Sequence, residues 1–170
     1  MLCIPNNPIP FKHRWKELFV DYLIILLYLV SLFGVAILFY CLFFDGIPKM
    51  TELQSQCIAL VTSVIPMMLL FSYWDYAKEG SIGKRKAGLK LVYRHKMFLA
   101  SVLRNLIKFL PWQIGHLSTI HGIYTNFDVW SILLFFVSVG FAVLLLFMGL
   151  LRKDKRHLGD LLAHTQVQKR

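Results

Sequence analysis

The sequence predicts an all-α fold: a bundle of four membrane-spanning helices with a small cytoplasmic region made by one loop and the C-terminal tail. Three observations predict it. Hydrophobic residues make up 57% of the 170 residues and charged residues only 16%, against about 25% charged in soluble domains. Three apolar runs are each long enough for the roughly 20 residues that cross a bilayer. The basic residues also concentrate in segments that could share one side of a membrane.

The chain is expected to form a single membrane domain over residues 1–170. We place its spans at about 16–44, 55–75, 97–120 and 128–151, its cytoplasmic loop at 76–96 and its tail at 152–170. Within the first span, the apolar run from Leu18 to Phe44 contains one charged residue, Asp21. The second contains Pro66, which we expect to kink the helix. The last run, 129–151, has no charge at all and is the clearest span.

The pattern of segment 97–120 allows two interpretations of its position in the membrane. Its apolar residues recur every three or four positions, as on one face of a helix, and Arg104, Asn105 and Lys108 fall on the opposite face. This fits either a helix lying in the headgroup region or a fourth span whose polar stripe turns inward. If it crosses, both termini and the basic loop share the cytoplasmic side, and Lys49 alone of the 19 Lys and Arg lies outside. The charge distribution therefore favours crossing, with a re-entrant segment as the main alternative.

Asp21 lies inside the first span and needs a partner there. An ionised carboxylate at the centre of a span is disfavoured by about 2.5–3.5 kcal/mol on insertion scales. In the four-span arrangement Arg104 lies at a similar depth in the third span, so we predict that Asp21 and Arg104 face each other. Arg14, two helical turns before Asp21, would extend this polar network toward the surface, and Asn105 would add a neutral hydrogen-bonding group.

Three of these polar positions carry a resemblance. Arg14, Asp21 and Asp160 resemble the three signature residues of the RDD family of bacterial membrane proteins. The segment EGSIGKRKAGLKLV resembles the Gly-Lys-Arg loop of that family, here Gly83, Lys84 and Arg85, with its following Gly-Leu-x-Val.

Two further segments extend the resemblance over nearly the whole chain. SVLRNLIKFLP at 101–111 is similar to the Arg-Asn helix of the family, and HLGDLLAHTQV at 157–167 to its Leu-Gly-Asp-Leu-Leu-Ala-Gly-Thr ending. His164 departs from this pattern, because the family usually has Gly there. The resemblance implies a multi-pass protein of the bacterial cytoplasmic membrane. Transport of unidentified ligands, including sodium/proton exchange, has been suggested for some members.

The loop and the tail are predicted to meet. GLKLVY at 88–93 and HTQVQK at 164–169 alternate apolar or β-branched residues with polar ones, as short half-buried strands do. On one side of the membrane the two segments could pair. Asp160 would then reach toward one of three basic residues: Arg14, Lys84 or Arg85.

Other chemistry is expected to be absent. We expect no enzyme activity, because no serine, cysteine or histidine has the partners that a hydrolase needs. His116, His121 and Asp128 near the outer face are read as loop side chains, so no metal and no cofactor are expected; the tail histidine His157 is expected to be solvated. The net charge of +10 indicates contact with anionic headgroups, not nucleic acid. Cys41 and Cys57 flank one short loop, where a disulfide is conceivable but two free thiols are the simpler expectation.

Two function classes remain open. In the first, the protein moves a small cation or a proton with Asp21 as its intramembrane carboxylate, and a homo-oligomer is needed because four spans are few for a pathway. In the second, it is a non-catalytic accessory or scaffold subunit of a larger membrane complex, and the Asp/Arg network is structural. The expected partners are the bilayer with its anionic headgroups and either a second copy or another membrane protein. Transport predicts water at Asp21, and the scaffold reading predicts a dry bundle.

Overall fold

The computed structural model describes residues 7, 9–44 and 46–170. Over these residues the chain is mainly helical, with one small sheet. The elements in chain order are α1 (Phe11–Phe43), α2 (Glu52–Ala59), a π-helical segment (Leu60–Val64), α3 (Ile65–Ala77), α4 (Ile82–Lys86), β1 (Leu89–Tyr93), α5 (Phe98–Thr125), α6 (Val129–Leu151), α7 (Leu158–Leu162) and β2 (Thr165–Lys169).

Three helical stretches of the described chain are long and apolar enough to cross a membrane. They are α1, the continuous stretch Glu52–Ala77 and α6, with mean hydropathies of 2.7, 1.9 and 2.7. Large apolar side chains lie exposed along all three, among them Leu27, Leu69 and Phe136. Such exposure would be costly in water and suits contact with lipid.

The stretch Glu52–Ala77 departs from α-helical geometry just before Pro66, in the π-helical segment Leu60–Val64. Proline has no N–H to donate to the carbonyl four residues earlier, and its ring crowds that carbonyl. Here the residue four positions earlier is Thr62, which lies in the π-helical segment. The Thr62 carbonyl instead accepts a hydrogen bond of 2.5 Å from the hydroxyl of Tyr28 on α1. The proline thus frees an acceptor that helps to hold α1 against this stretch.

Helix α5 runs alongside Glu52–Ala77 in the opposite direction over its whole length. Near its start, Ser101 donates to the carbonyl of Ser72 at 2.7 Å. Near its end, the Tyr124 hydroxyl donates to the carbonyl of Met50 at 2.7 Å and lies 3.0 Å from the hydroxyl of Ser55. It also packs along α6, and this is the most extensive contact between two helices in the described part of the chain. The polar side chains near its start are buried, so this face of α5 turns toward the neighbouring helices. Helix α5 itself is not among the three stretches that are long and apolar enough to cross a membrane.

The loop and the tail pair as predicted. Strands β1 and β2 form an antiparallel ladder from Leu89 opposite Lys169 to Tyr93 opposite Thr165. Leu89, Leu91 and Val167 are almost fully buried in a small core of their own. The predicted two-stranded pairing is therefore confirmed.

His164, the residue immediately before β2, has a left-handed backbone conformation with φ of 50°. Glycine adopts that conformation without strain, whereas histidine does so at some cost, although it is among the residues that tolerate it. The tight turn before β2 therefore forms here without the glycine that the RDD pattern has at this position.

Candidate functional site

Eight ionisable side chains meet at the end of the bundle that carries α4, the sheet and α7. We call them the charge network; its four acids are Glu17, Asp21, Asp75 and Asp160, and its four bases are Arg14, Lys84, Arg104 and Lys108. Seven of these side chains are at most 7% exposed, and that of Lys108 is 24% exposed. Four negative charges meet four positive ones, so the network is neutral as a whole. Buried charges persist only when they are paired in this way.

Arg104 is the centre of the network. Its Nη1 donates to Asp75 Oδ2 at 2.6 Å and its Nε to Asp160 Oδ1 at 2.6 Å. Its Nη2 lies 3.2 Å from Nε2 of His157. The rigid fork of a guanidinium suits several acceptors at fixed angles, which a lysine ammonium could not serve equally well. One side chain of α5 thereby joins the end of α3 to α7.

Asp75, in the last turn of α3, is surrounded by donors. Besides Arg104, it accepts from Lys84 Nζ at 3.2 Å, from Asn105 Nδ2 at 3.1 Å and from the backbone N–H of Ser81 at 3.1 Å. Both carboxylate oxygens are thus used twice. Asp75 was not predicted from the sequence, although an acid at the very end of an apolar run is a signal that could have identified it.

Asp21 does not meet Arg104, and the predicted direct pair is wrong. Its Oδ2 accepts from the Ser81 hydroxyl at 2.7 Å and its Oδ1 from the Gly83 N–H at 2.9 Å. Lys108 is its nearest cation, with Nζ 3.7 Å from Oδ2. Asp21 and Arg104 were predicted to pair because they lie at similar depths in the membrane. A similar depth does not determine the direction in which each side chain points from its helix. The short helix α4, expected to be loop, takes the place assigned to Arg104.

Gly83 makes this insertion possible. A Cβ at that position would overlap the backbone carbonyl of Glu17 and the Asp21 carboxylate. The next residue, Lys84, is fully buried and reaches Glu17 Oε1 at 3.6 Å as well as Asp75. Arg85 lies outside the network, and it forms no ion pair with any residue that the structure describes.

Arg14 ties the start of α1 to the end of α6. Its guanidinium pairs with Glu17 at 2.7 Å and donates to the carbonyls of Gly149 at 3.3 Å and Lys155 at 2.9 Å. Carbonyls at the end of a helix lack intrahelical donors, and a cation is favourable there. Arg14 thus belongs to the network through Glu17 and not through direct contact with Asp21. Glu17 was not predicted from the sequence.

Asp160 and His157 close the network on the tail side. Asp160 was expected to reach Arg14, Lys84 or Arg85, and this is wrong, because its ion-pair partner is Arg104. Burial raises the pKa of the Asp160 carboxyl, but the surrounding positive charges and hydrogen bonds, those of Arg104 first among them, together hold this pKa well below its usual range. The Thr165 hydroxyl also donates to Asp160 at 2.8 Å.

His157 was expected to be solvated, and this is wrong as well. Its side chain is only 12% exposed and lies beside Arg104 and Asp160, and burial lowers its pKa to about 3, so that the imidazole is neutral near pH 7. Its Nδ1 is buried without a hydrogen-bond partner among the described residues.

The histidines at the opposite end lie on α5 and not in a loop. His116 Nε2 lies 3.2 Å from the Ser63 hydroxyl. His121 sits between Glu52 at 2.9 Å and Asp128 at 3.4 Å. Within the described part of the chain, no group of three or more His, Cys, Asp or Glu residues is arranged to hold a metal ion. Cys41 and Cys57 are free and exposed thiols.

A cavity of about 660 Å³ lies between α1, α5 and α6 and reaches the network from the side. Arg14, Glu17, Arg104, Lys108 and His157 line its polar end. Apolar side chains line the rest, among them Leu18, Tyr22, Ile25 and Leu29 on α1 and Val139, Ala142, Val143 and Leu146 on α6. Asp21 is not among the lining residues and is 3% exposed.

Comparison with known proteins gives one match. The family model described as RDD family matches residues 14–164, a range that includes every member of the charge network and β1. Neither a curated protein nor a solved structure matches the chain.

Proposed function

The chain belongs to the RDD family, and we propose that it is a non-catalytic accessory or scaffold subunit of a larger complex in the bacterial cytoplasmic membrane. In this proposal the charge network is structural. It fixes α4, the sheet and α7 to the ends of the membrane helices and so presents a rigid cytoplasmic surface. The network carries no chemistry of its own.

One observation carries the proposal: each acid of the network is already occupied by a donor from the chain itself. Glu17 is bound by Arg14, Asp75 and Asp160 by Arg104, and Asp21 by Ser81 and Gly83. A site for a transported cation needs a carboxylate that fixed positive charges do not already neutralise. Here the fixed positive charges oppose a further cation.

The proposal includes four spans with both termini in the cytoplasm. The lengthwise contact of α5 with Glu52–Ala77 supports it, since a membrane crossed by one of these helices is also crossed by the other. The low hydropathy of α5 comes from residues turned into the bundle, such as Arg104 and Asn105, which are 2% and 0% exposed. The charge network, the sheet and most basic residues then lie at one end, as the positive-inside rule requires.

Single-cysteine labelling tests this topology. Cys3, Cys41 and Cys57 are replaced by serine, and one cysteine is introduced at Lys49, Lys96 or Asn126. A membrane-impermeant maleimide added to intact cells should label positions 49 and 126 and spare position 96. Labelling of position 126 only after the membrane is opened would show that α5 does not cross.

A second candidate function is movement of a small cation or proton, most simply in a homo-oligomer. The cavity favours this function, because Glu17 and Lys108 of the network line it and would be accessible to an ion or water molecule that enters between α1 and α6. Lys108 also pairs with Asp21 at 3.7 Å, so a proton taken up from the cavity would reach Asp21 through Lys108.

Asp21→Asn separates the two proposals. If the network is structural, the variant loses stability in detergent and any defect in cells follows the loss of folded protein. If Asp21 serves transport, the variant folds normally, and proteoliposomes loaded with a pH-sensitive dye lose a sodium-dependent or proton-dependent signal that the unaltered chain shows. Asp154→Asn, which alters a surface pair with Arg152 at 3.0 Å, is the matched control. A partner that co-purifies with the unaltered chain in mild detergent, but not with Asp21→Asn, would support the accessory role.

A further inference from the structure

The cavity between α1 and α6 has the form of a site for a lipid. Helix α1 packs against α4, and over the described residues it makes no extended contact with α6. The gap is open to the outside, because its lining residues Tyr22, Val139 and Val143 are 61%, 43% and 40% exposed. Its volume of about 660 Å³ lies within the roughly 300–1,000 Å³ typical of ligand pockets.

The lining is polar at one end only. Along α1 the wall begins with Arg14 and Glu17 and continues with apolar side chains to Leu29. From Leu18 to Leu29 this apolar wall extends about 16 Å at about 1.5 Å per residue. In the proposed topology the polar end faces the cytoplasmic headgroups and the apolar part lies in the hydrocarbon layer. A molecule that fits therefore has a polar head and a long apolar chain.

The charge at the polar end selects an anion. Three cations line the cavity, Arg14, Arg104 and Lys108, against one acid, Glu17, so the lining carries a net charge of +2. The acids that balance Arg104 and Lys108 lie behind them and do not line the cavity.

Lys108 is the cation with the weakest partner in the chain. Its nearest carboxylate oxygen lies at 3.7 Å, and its side chain is 24% exposed, more than that of any other base of the network. Its ammonium also lies 4.6 Å from the centre of the Phe71 ring, a contact that helps to hold it at the polar end of the cavity.

We propose that this cavity binds one anionic diacyl lipid, which enters sideways from the bilayer and places its acidic headgroup at Lys108 and Arg14 and one acyl chain between α1 and α6. A neutral or zwitterionic lipid fills the apolar part equally well but gains little from the cations. The lipid bridges α1 to α6, which otherwise lack extended contact. This inference rests on the four-span topology, which the cysteine labelling tests separately.

Native mass spectrometry of the delipidated full chain tests the proposal. Dioleoylphosphatidylglycerol is titrated in and compared with dioleoylphosphatidylcholine. We expect one phosphatidylglycerol per chain, bound about tenfold more tightly than phosphatidylcholine, the ratio that corresponds to about 1.4 kcal/mol. Equal retention of the two lipids would overturn the proposal and indicate lipid held non-specifically around the helices.

Two pairs of variants locate the site. Lys108→Gln should remove the preference for phosphatidylglycerol, whereas Lys90→Gln on β1 should keep it. Val143→Trp, which fills the apolar part, should lower the binding of both lipids at least about tenfold, whereas Val137→Trp on the exposed face of α6 should not. Val143→Trp keeps the test decisive if Lys108→Gln fails to fold.

Provided that the variants fold, two results would refute the proposed lipid site, even if the cysteine labelling confirms the four-span topology. The first is equal lipid binding by Val143→Trp and Val137→Trp. The second is a change from dimer to monomer in Val143→Trp with phosphatidylglycerol binding unchanged, which would show that a second copy of the chain fills the cavity.

Discussion

Replacing Asp75 by asparagine should destabilise the protein more than any other single loss of charge in the network. The side chain is fully buried and accepts from Lys84, Arg104, Asn105 and the Ser81 N–H. Asparagine keeps the volume but removes the charge and turns an NH₂ group toward one of these donors. Breaking a buried pair in this way costs about 3–5 kcal/mol, because the remaining cations are left uncompensated.

That cost is large enough to measure by thermal unfolding in detergent. For a chain of 150–250 residues, each kcal/mol shifts Tm by about 2–4 °C, so we expect Asp75→Asn to lower Tm by about 6–20 °C. Asp154→Asn alters an exposed pair and should shift Tm by no more than about 4 °C, since such pairs contribute at most about 1 kcal/mol. Combining Asp75→Asn with Lys84→Gln restores neutrality and should recover part of the loss. A Tm for Asp75→Asn equal to that of Asp154→Asn would refute a structural role for the network.

Two further predictions concern α4 and the tail. Gly83→Ala should cost at least about 1–3 kcal/mol by overpacking, whereas Gly140→Ala, whose added Cβ meets nothing within 4 Å, should be neutral or stabilising by up to about 1 kcal/mol; equal Tm values would contradict the close approach at Gly83. The pKa of His157 is lowered from 6.5 to about 3, so on acidification the unfolded chain takes up a proton before the folded chain does. The free energy of unfolding should therefore decrease as the pH is lowered, by about 2 kcal/mol from about pH 6.5 to 4.5. His157→Gln should flatten that part of the Tm profile and the exposed His164→Gln should not; an unchanged slope in His157→Gln would show that His157 is solvated.

Much of the fold follows from patterns that the sequence displays directly. The charge-free run at 129–151 coincides with α6 because Asp128 caps its first turn and a basic segment follows it. The alternation at 88–93 and 164–169 predicts β1 and β2, since a half-buried strand needs that period. The spacing along 97–120 identifies one polar face of α5. Each of these signals is local.

The pairing inside the network is not local, and this is where the prediction failed. Sequence spacing gave the depth of Asp21 and Arg104 but not the rotation of their helices or the presence of α4 between them. A five-residue helix with three consecutive basic residues has no apolar period to reveal it. Gly83 was identified only by resemblance, and its physical role, close approach to Glu17 and Asp21, depends on contacts distant in sequence.

The corrected pairing changes what a charge exchange should do. If Asp21 and Arg104 faced each other, Asp21→Arg with Arg104→Asp would restore a lost pair. In the structure, position 21 faces the Gly83 N–H and the Lys108 ammonium, so a guanidinium there would meet a donor and a like charge. Position 104 lies between Asp75 and Asp160, where a third carboxylate would gather three negative charges. The double variant should therefore be no more stable than the less stable single variant. A Tm of the double variant above those of both single variants would show instead that Asp21 and Arg104 pair directly.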